Sequence, residues 1–183
     1  MVLDKSKFDN SSYKPGPFWK RTLWYYTSAL LFRNPFLPFI KFKVFLLKLF
    51  GAKIGERCYI KPGVNVKYPW FLEIGDYVGI GEDVWIDNLA QVTLGDNVTV
   101  SQGALLLTGN HNFKSKSFEL MLGEITVCEG AWVGAKAMVG PGVTINKNAI
   151  LCFGSRATKD LDADGIYDGM PAVRVRERGF TDE

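Results

Sequence analysis

From Ile54 onward a branched aliphatic residue returns every six positions, a spacing that neither an α-helix nor an alternating strand produces alone. The leaders are Ile54, Ile60 and Val66, then Ile74, Ile80 and Ile86, then Leu94, Val100 and Leu106, and last Val127, Val133, Val139, Ile145 and Leu151, with Ala157 closing the series. Four residues after most leaders stand small or β-branched side chains, among them Val64, Val78, Val84, Ala90, Val98, Ala104, Ala131, Ala137, Val143, Ala149 and Ser155. Gly often follows the leader directly, as at Gly55, Gly75, Gly81, Gly95, Gly134 and Gly140.

A repeat this short cannot bury an apolar face alone. One hexad supplies a short strand and a turn, three hexads close a three-faced coil, and the leader points into an interior that leaves room only for small neighbours. Each coil then stacks on the next through parallel-strand hydrogen bonds. Turns fall on Gly75-Asp76, Gly95-Asp96-Asn97 and Asn146-Lys147-Asn148, residue types that tolerate the backbone angles of a tight corner. The expected fold class is all-β, a left-handed parallel β-helix, since six-residue repeats of this kind depart from the usual right-handed crossover. The repeat divides the chain into a leader (1–53), the β-helix (54–162) and a C-terminal tail (163–183).

Register breaks carry more information than the repeats. Leu72 and Glu73 intrude after the first three hexads, Val92 and Thr93 after the next three, and an excursion from about 112 to 126 follows the third set. All three fall at one corner of the prism, and insertions into solenoids gather on the working face. The only histidine, His111, stands immediately before the long excursion, in Thr108-Gly109-Asn110-His111-Asn112-Phe113. A lone histidine is ordinarily a solvated or core residue, but its place beside a pocket-sized loop favours a chemical role. An imidazole with an unperturbed pKa of about 6.5 suits removal of a proton from a hydroxyl near neutral pH. Gln91 lies one coil below His111, within reach of it. Asp87 and Asn88 occupy the matching hexad of that coil, either as sugar-binding or imidazole-orienting groups or as ordinary turn residues.

Charge separates the leader from the rest. Residues 1–50 hold nine Lys or Arg against two Asp, so although the chain is +3 overall, the part after residue 50 is net acidic. A net positive charge confined to the leader gives no footprint for nucleic acid on the rest of the chain. The leader is also rich in aromatics, including Phe18, Trp19, Trp24, Tyr25, Tyr26, Phe32, Phe36, Phe39, Phe42, Phe45 and Phe50. Its longest uncharged run, Thr22 to Phe32, falls short of the roughly 20 residues that span a bilayer, and Pro35 and Pro38 break any helix there. Two short helices, about 19–33 and 39–50, are expected around a proline elbow. Such a segment suits peripheral contact with an anionic membrane surface, and equally suits capping the core or packing on a neighbouring subunit. Three widely spaced cysteines, Cys58, Cys128 and Cys152, suggest neither a disulfide framework nor a zinc site. Asp4 and Asp9 interrupt any signal-peptide core, and the expected location is cytoplasmic, with the leader able to lie at the inner face of the membrane.

Several motifs together resemble the hexapeptide-repeat acyltransferases, particularly the branch that acetylates sugars of colanic acid and related exopolysaccharides. They are Trp85-Ile86-Asp87-Asn88, Ser101-Gln102-Gly103-Ala104, Thr108-Gly109-Asn110-His111, Gly130-Ala131-Trp132-Val133-Gly134-Ala135, Thr158-Lys159-Asp160 and the tail Gly169-Met170-Pro171-Ala172. The resemblance implies transfer of acetyl from acetyl-CoA, as co-substrate and with no metal required, to a hydroxyl of a sugar or lipid-linked oligosaccharide, His111 serving as general base. It implies acceptor contacts at Asp87, Asn88, Gln91, Asn110 and Trp132, and a CoA path along Ala135, Phe153, Thr158, Lys159 and Arg176, although Lys159 and Arg176 also read as plain surface charges. It further implies a homotrimer with the pocket between neighbouring subunits, because Trp132 falls at a different corner from His111. Two departures stand out: Met170 replaces the Asn of the family's closing Gly-Asn-Pro, and bulky Phe153 interrupts a commonly Ala-rich stretch. Acylation of an amino sugar or nucleotide-sugar, or a non-catalytic binding solenoid, are the alternative functions. A carbonic anhydrase on the same scaffold would need three metal-binding histidines.

Overall fold

A computed structural model describes residues 2, 4–37 and 39–180; Pro38 of the elbow lies outside them. The hexads wind as a left-handed parallel β-helix of about six turns. Its first face stacks Lys53–Ile54, Leu72–Ile74, Val92–Leu94, Ile125–Val127 and Thr144–Ile145. The second carries Tyr59–Ile60, Gly79–Ile80, Thr99–Val100, Trp132–Val133 and Ile150–Leu151, and the third Asn65–Val66, Trp85–Asp87, Leu105–Leu107, Met138–Val139 and Arg156–Ala157. Pairing is parallel and in register from coil to coil, for example Ile54 with Ile74 and Ile74 with Leu94.

Every leader is buried, from Ile54 to Ala157. The small residues two positions before the next leader are buried too, with Ala90, in the expanded corner, only half-buried. The inserted Leu72 and Val92 do not bulge outward. They lengthen the first-face strands and, by the two-residue alternation of a strand, point inward beside Ile74 and Leu94. Asn88 and Thr108 brace the same corner from inside: the Asn88 amide accepts from Tyr68 N–H at 3.0 Å and donates to the carbonyls of Tyr68 and Phe71, and Thr108 Oγ1 bridges Ala90 N–H and the Asp87 carbonyl.

The leader caps the first coil. Helix α1 (Phe18–Thr27) continues into a π-helical turn, Ser28–Phe32, and α2 (Ile40–Leu49) follows the elbow. Trp24, Phe32, Leu46, Leu47 and Phe50 join the core beneath Ile54 and Ile60. Trp24 packs against Phe32 and Phe50, and its indole N–H donates to the Val66 carbonyl at 2.9 Å, which satisfies the one polar group the ring buries. The opposite sides of both helices expose Phe18, Trp19, Tyr25, Tyr26 and Phe45, and the elbow between them exposes Phe36 and Phe39. Among the described residues no helix is long and apolar enough to cross a membrane.

The tail adds to the fold. Gly165–Gly169 pairs in parallel with Ile150–Leu151, and Ala172–Glu177 folds back on it as an antiparallel hairpin across a cis Met170–Pro171 bond. The second face thereby grows two strands beyond the last hexad.

Candidate active site

After the third-face strand Leu105–Leu107, the chain leaves the coil at the corner leading to the first face. Gly109–His111 and Leu120–Leu122 form an antiparallel hairpin, with His111 opposite Leu120. The tip is tied by its own side chains. Glu119 accepts from Asn112 Nδ2 at 2.8 Å and from Ser117 Oγ at 2.6 Å, and Ser115 and Ser117 share a hydroxyl contact. Those donors, Ser117 first and then Ser115, hold the Glu119 carboxyl down to about 2 from its ordinary 4.5, since they stabilise the charged form.

This tip fixes the histidine. His111 Nδ1 lies 2.9 Å from the Phe118 carbonyl oxygen, and the two rings stack with centroids 4.4 Å apart and planes 5° apart. A carbonyl can only accept, so Nδ1 donates that bond, and in the neutral ring the lone pair stands on Nε2. Phe118 itself sits at φ 51°, a left-handed conformation that is a costly outlier for a bulky residue. The hairpin tip therefore holds a strained residue whose carbonyl and ring both engage the imidazole.

A cavity of about 500 Å³ opens beside His111. Its other walls are Phe8, Asn10, Tyr13 and Pro15 from the extended N-terminal segment, Arg21 of α1, Lys67 and Tyr68 after the first coil's third-face strand, and Leu89 and Leu120. Tyr13 donates its hydroxyl to the Leu89 carbonyl at 2.7 Å, and burial, then the nearby Tyr68 and Asp87, push its pKa up. Asp4 N–H donates to the Lys116 carbonyl at 3.1 Å, so the N-terminal segment also clasps the hairpin that carries His111. None of these leader residues carries a periodic or motif signal, which is why sequence reasoning passes over them; the aromatic and basic texture of the leader was the one available cue.

The sequence-derived candidates are not gathered into one place within a single chain. Asn110 is exposed, and its side-chain oxygen accepts from His111 N–H at 2.8 Å. The Gln91 carbonyl accepts from Ile125 N–H and its side-chain amide donates to the Val92 carbonyl at 3.5 Å; it does not line the His111 cavity. The Asn88 amide is engaged by the corner of the coil and buried. Asp87 lines a neighbouring cavity, paired with Lys67 at 2.9 Å. Trp132 stands on the second face, opposite the His111 corner, with its indole donating to Ser101 Oγ at 2.8 Å and 44% of its surface exposed. Ala135 and Phe153 are neighbours at the corner between second and third faces, joined by Gly154 N–H to the Ala135 carbonyl. Phe153 projects 81% exposed. Thr158 and Lys159 lie beyond the other edge of the third face, and Arg176 is on the terminal hairpin opposite Ile166. Among the described residues no three His, Cys, Asp or Glu side chains cluster as a metal site.

No protein-family model matches the chain. Among curated proteins it is 36% identical over 170 residues to WcaF of Escherichia coli, named as a putative colanic acid biosynthesis acetyltransferase, covering 93% of each chain. It is 31% identical to the galactoside O-acetyltransferase of E. coli over 135 residues, 72% of this chain and 66% of that protein. Among solved structures, a galactoside acetyltransferase in complex with coenzyme A superposes with a TM-score of 0.79 at 25% identity, covering 88% of this chain and 82% of the other. A hexapeptide-repeat acetyltransferase of Vibrio cholerae complexed with acetyl-coenzyme A reaches 0.82 over 98% and 97%, and at 19% identity that likeness concerns the fold.

Proposed function

Since the chain belongs to the hexapeptide-repeat acetyltransferases, in the branch of the colanic acid biosynthesis enzymes, we propose that it moves an acetyl group from acetyl-CoA to a sugar hydroxyl with His111 as general base. One observation carries this reading: Nδ1 is anchored on the Phe118 carbonyl, so the free ring nitrogen is the basic one. Nε2 takes the proton of the acceptor hydroxyl as its oxygen attacks the thioester carbonyl. The tetrahedral intermediate collapses, the carbon–sulfur bond breaks, and the imidazolium returns the proton to the departing thiolate. The thioester is already activated, so His111 needs to supply proton transfer and nothing else.

Exposed Phe153 offers a flat apolar surface, and Lys159 and Arg176 offer cations for the phosphates of CoA. The acceptor, a sugar or lipid-linked oligosaccharide, enters the cavity walled by Tyr13, Arg21, Lys67 and Tyr68. A homotrimer brings Trp132 of one subunit to the His111 corner of the next, which unites two residues that one chain keeps on opposite sides. The exposed leader aromatics Trp19, Phe36, Phe39 and Phe45, with Lys41 and Lys48 among them, rest on an anionic cytoplasmic membrane surface.

The test is acetyl-CoA turnover on a panel of sugars, wild type against His111→Ala, with CoA binding measured in parallel. Loss of general-base catalysis lowers kcat by about 10²- to 10⁴-fold, while CoA still binds. Equal turnover in the two proteins would sink the mechanism.

A further inference from the structure

A second cavity, of about 480 Å³, lies between α1 and the third face. It shares Arg21, Lys67 and Tyr68 with the His111 cavity, so the two form one groove pinched at those residues. Its size falls within the range of about 300–1,000 Å³ usual for small-molecule sites. The far end is walled by exposed aromatics, Phe18, Tyr25, Tyr26 and Trp85. Polar groups are interspersed among them, which distinguishes this hollow from a purely apolar docking face.

The Arg21 side chain, half-buried at the pinch, makes no hydrogen bond or ion pair among the described residues; its guanidinium lies over the Phe18 ring at 5.9 Å, and its Nε is fully covered. Asp87 Oδ1 is also covered. Lys67 Nζ stands 2.9 Å away and pairs with it as an ion, outside hydrogen-bonding geometry. The covered Arg21 Nε–H lacks an acceptor, and the covered Asp87 oxygen, held only by its ion pair, can still take a hydrogen bond. Both needs are met by a ligand dense in hydroxyls, which accept and donate at neighbouring atoms. Aromatic faces flanking such groups suit the apolar faces of sugar rings.

Resting on the sugar O-acetyltransferase reading, we propose that this cavity is a second saccharide subsite. The acceptor is then an oligosaccharide: the ring to be acetylated lies at His111, and the adjoining ring passes Arg21 and Asp87 to stack on Trp85 and Tyr25. The groove selects chain length, and a single ring uses only half of it.

The experiment measures kcat/KM for methyl hexosides and for their linked series of two, three and four rings, in wild type and Trp85→Ala, with thermal melting as a check on folding. Wild type is expected to prefer two or more rings over one by ~10-fold or more, equivalent to ~1.4 kcal/mol, and Trp85→Ala to bring that ratio towards one. A wild-type ratio near one, or a ratio Trp85→Ala leaves unchanged, overturns the subsite. A parallel titration of the same sugars into His111→Ala, followed by the Trp85 indole N–H resonance, reads binding without turnover. A shift with oligosaccharides and none with single rings supports the subsite even if no sugar is acetylated, which would defeat only the catalytic reading; no shift with any of them defeats the subsite itself.

Discussion

Glu119 never touches the imidazole, yet it anchors the loop that does. Its carboxylate collects Asn112 and Ser117 across the hairpin tip, and Phe118, the residue before it, supplies both the stacking ring and the accepting carbonyl for His111. The carboxyl is held at about 2 against 4.5 in its ordinary state. Its folded pKa is thus depressed, so its contribution to stability is complete above 4.5 and is lost as pH falls from 4.5 through about 2. Glu119→Gln is expected to melt below wild type at pH 6, with the gap closing as melting is repeated towards pH 2.5. The same variant should lower kcat by ~10-fold at neutral pH, on the scale that small misplacement of a reacting group imposes. An unchanged kcat with a lowered melting point would separate the loop's stability from its role in orienting His111. The histidine was legible in the sequence because it ends a hexad where the register breaks. Tyr13, Arg21, Lys67 and Tyr68 were not: two lie in the aperiodic leader, and two look like ordinary residues after a leader of the first coil.

Two of the three corners of the prism are built on columns of left-handed residues. Arg57, Tyr77, Asn97, Gly130 and Asn148 stack at the corner from first to second face, and Gly63, Asp83, Gly103, Lys136 and Gly154 at the next. Aspartates clip the first of these corners to the coil below, Asp76 Oδ1 taking Glu56 N–H and Asp96 Oδ1 taking Asp76 N–H, each at 2.7 Å. Gly75 follows its leader for want of space, since a β-carbon there would run into Asp96 Oδ1. In the second column Lys136 occupies a place that Gly holds in three other coils. A left-handed L-residue costs about 1–2 kcal/mol, and Gly loses about 0.5–1 kcal/mol to backbone entropy, so Lys136→Gly should stabilise the fold by ~0.5–1 kcal/mol. Chemical denaturation at pH 7 checks it, and a destabilised variant would mean the lysine stem contributes packing that outweighs the strain. Hexad spacing makes the three faces and their register readable, because the leaders are buried for a reason every coil repeats. It conveys nothing of the terminal hairpin, Gly165–Gly169 with Ala172–Glu177, whose pairing is antiparallel and has no period to betray it.

At the scale of the whole molecule, one chain keeps the parts of the proposed chemistry apart. His111 stands at the corner between third and first faces, and Trp132 on the second face, across the width of the prism. Residues so separated meet only if a neighbour supplies one of them. A three-fold ring does this at each of its interfaces, because a heterologous contact that closes presents the same pair of unlike surfaces every time. The consequence is measurable by subunit mixing. His111→Ala and Trp132→Ala, each prepared alone, should both be impaired, since in the proposed homotrimer every site of either variant lacks one member. Unfolded together in equal amounts and refolded, subunits assort at random, and a site works when the chain giving the histidine is the Trp132→Ala one and its neighbour is the His111→Ala one. The chance of that pairing is about one in four, so the mixture should recover about a quarter of wild-type turnover per site, given independent sites in a closed ring. Recovery no greater than the mean of the two separate variants would place the working tryptophan, or its absence from the mechanism, within the single chain, and would remove the case for a site shared between subunits.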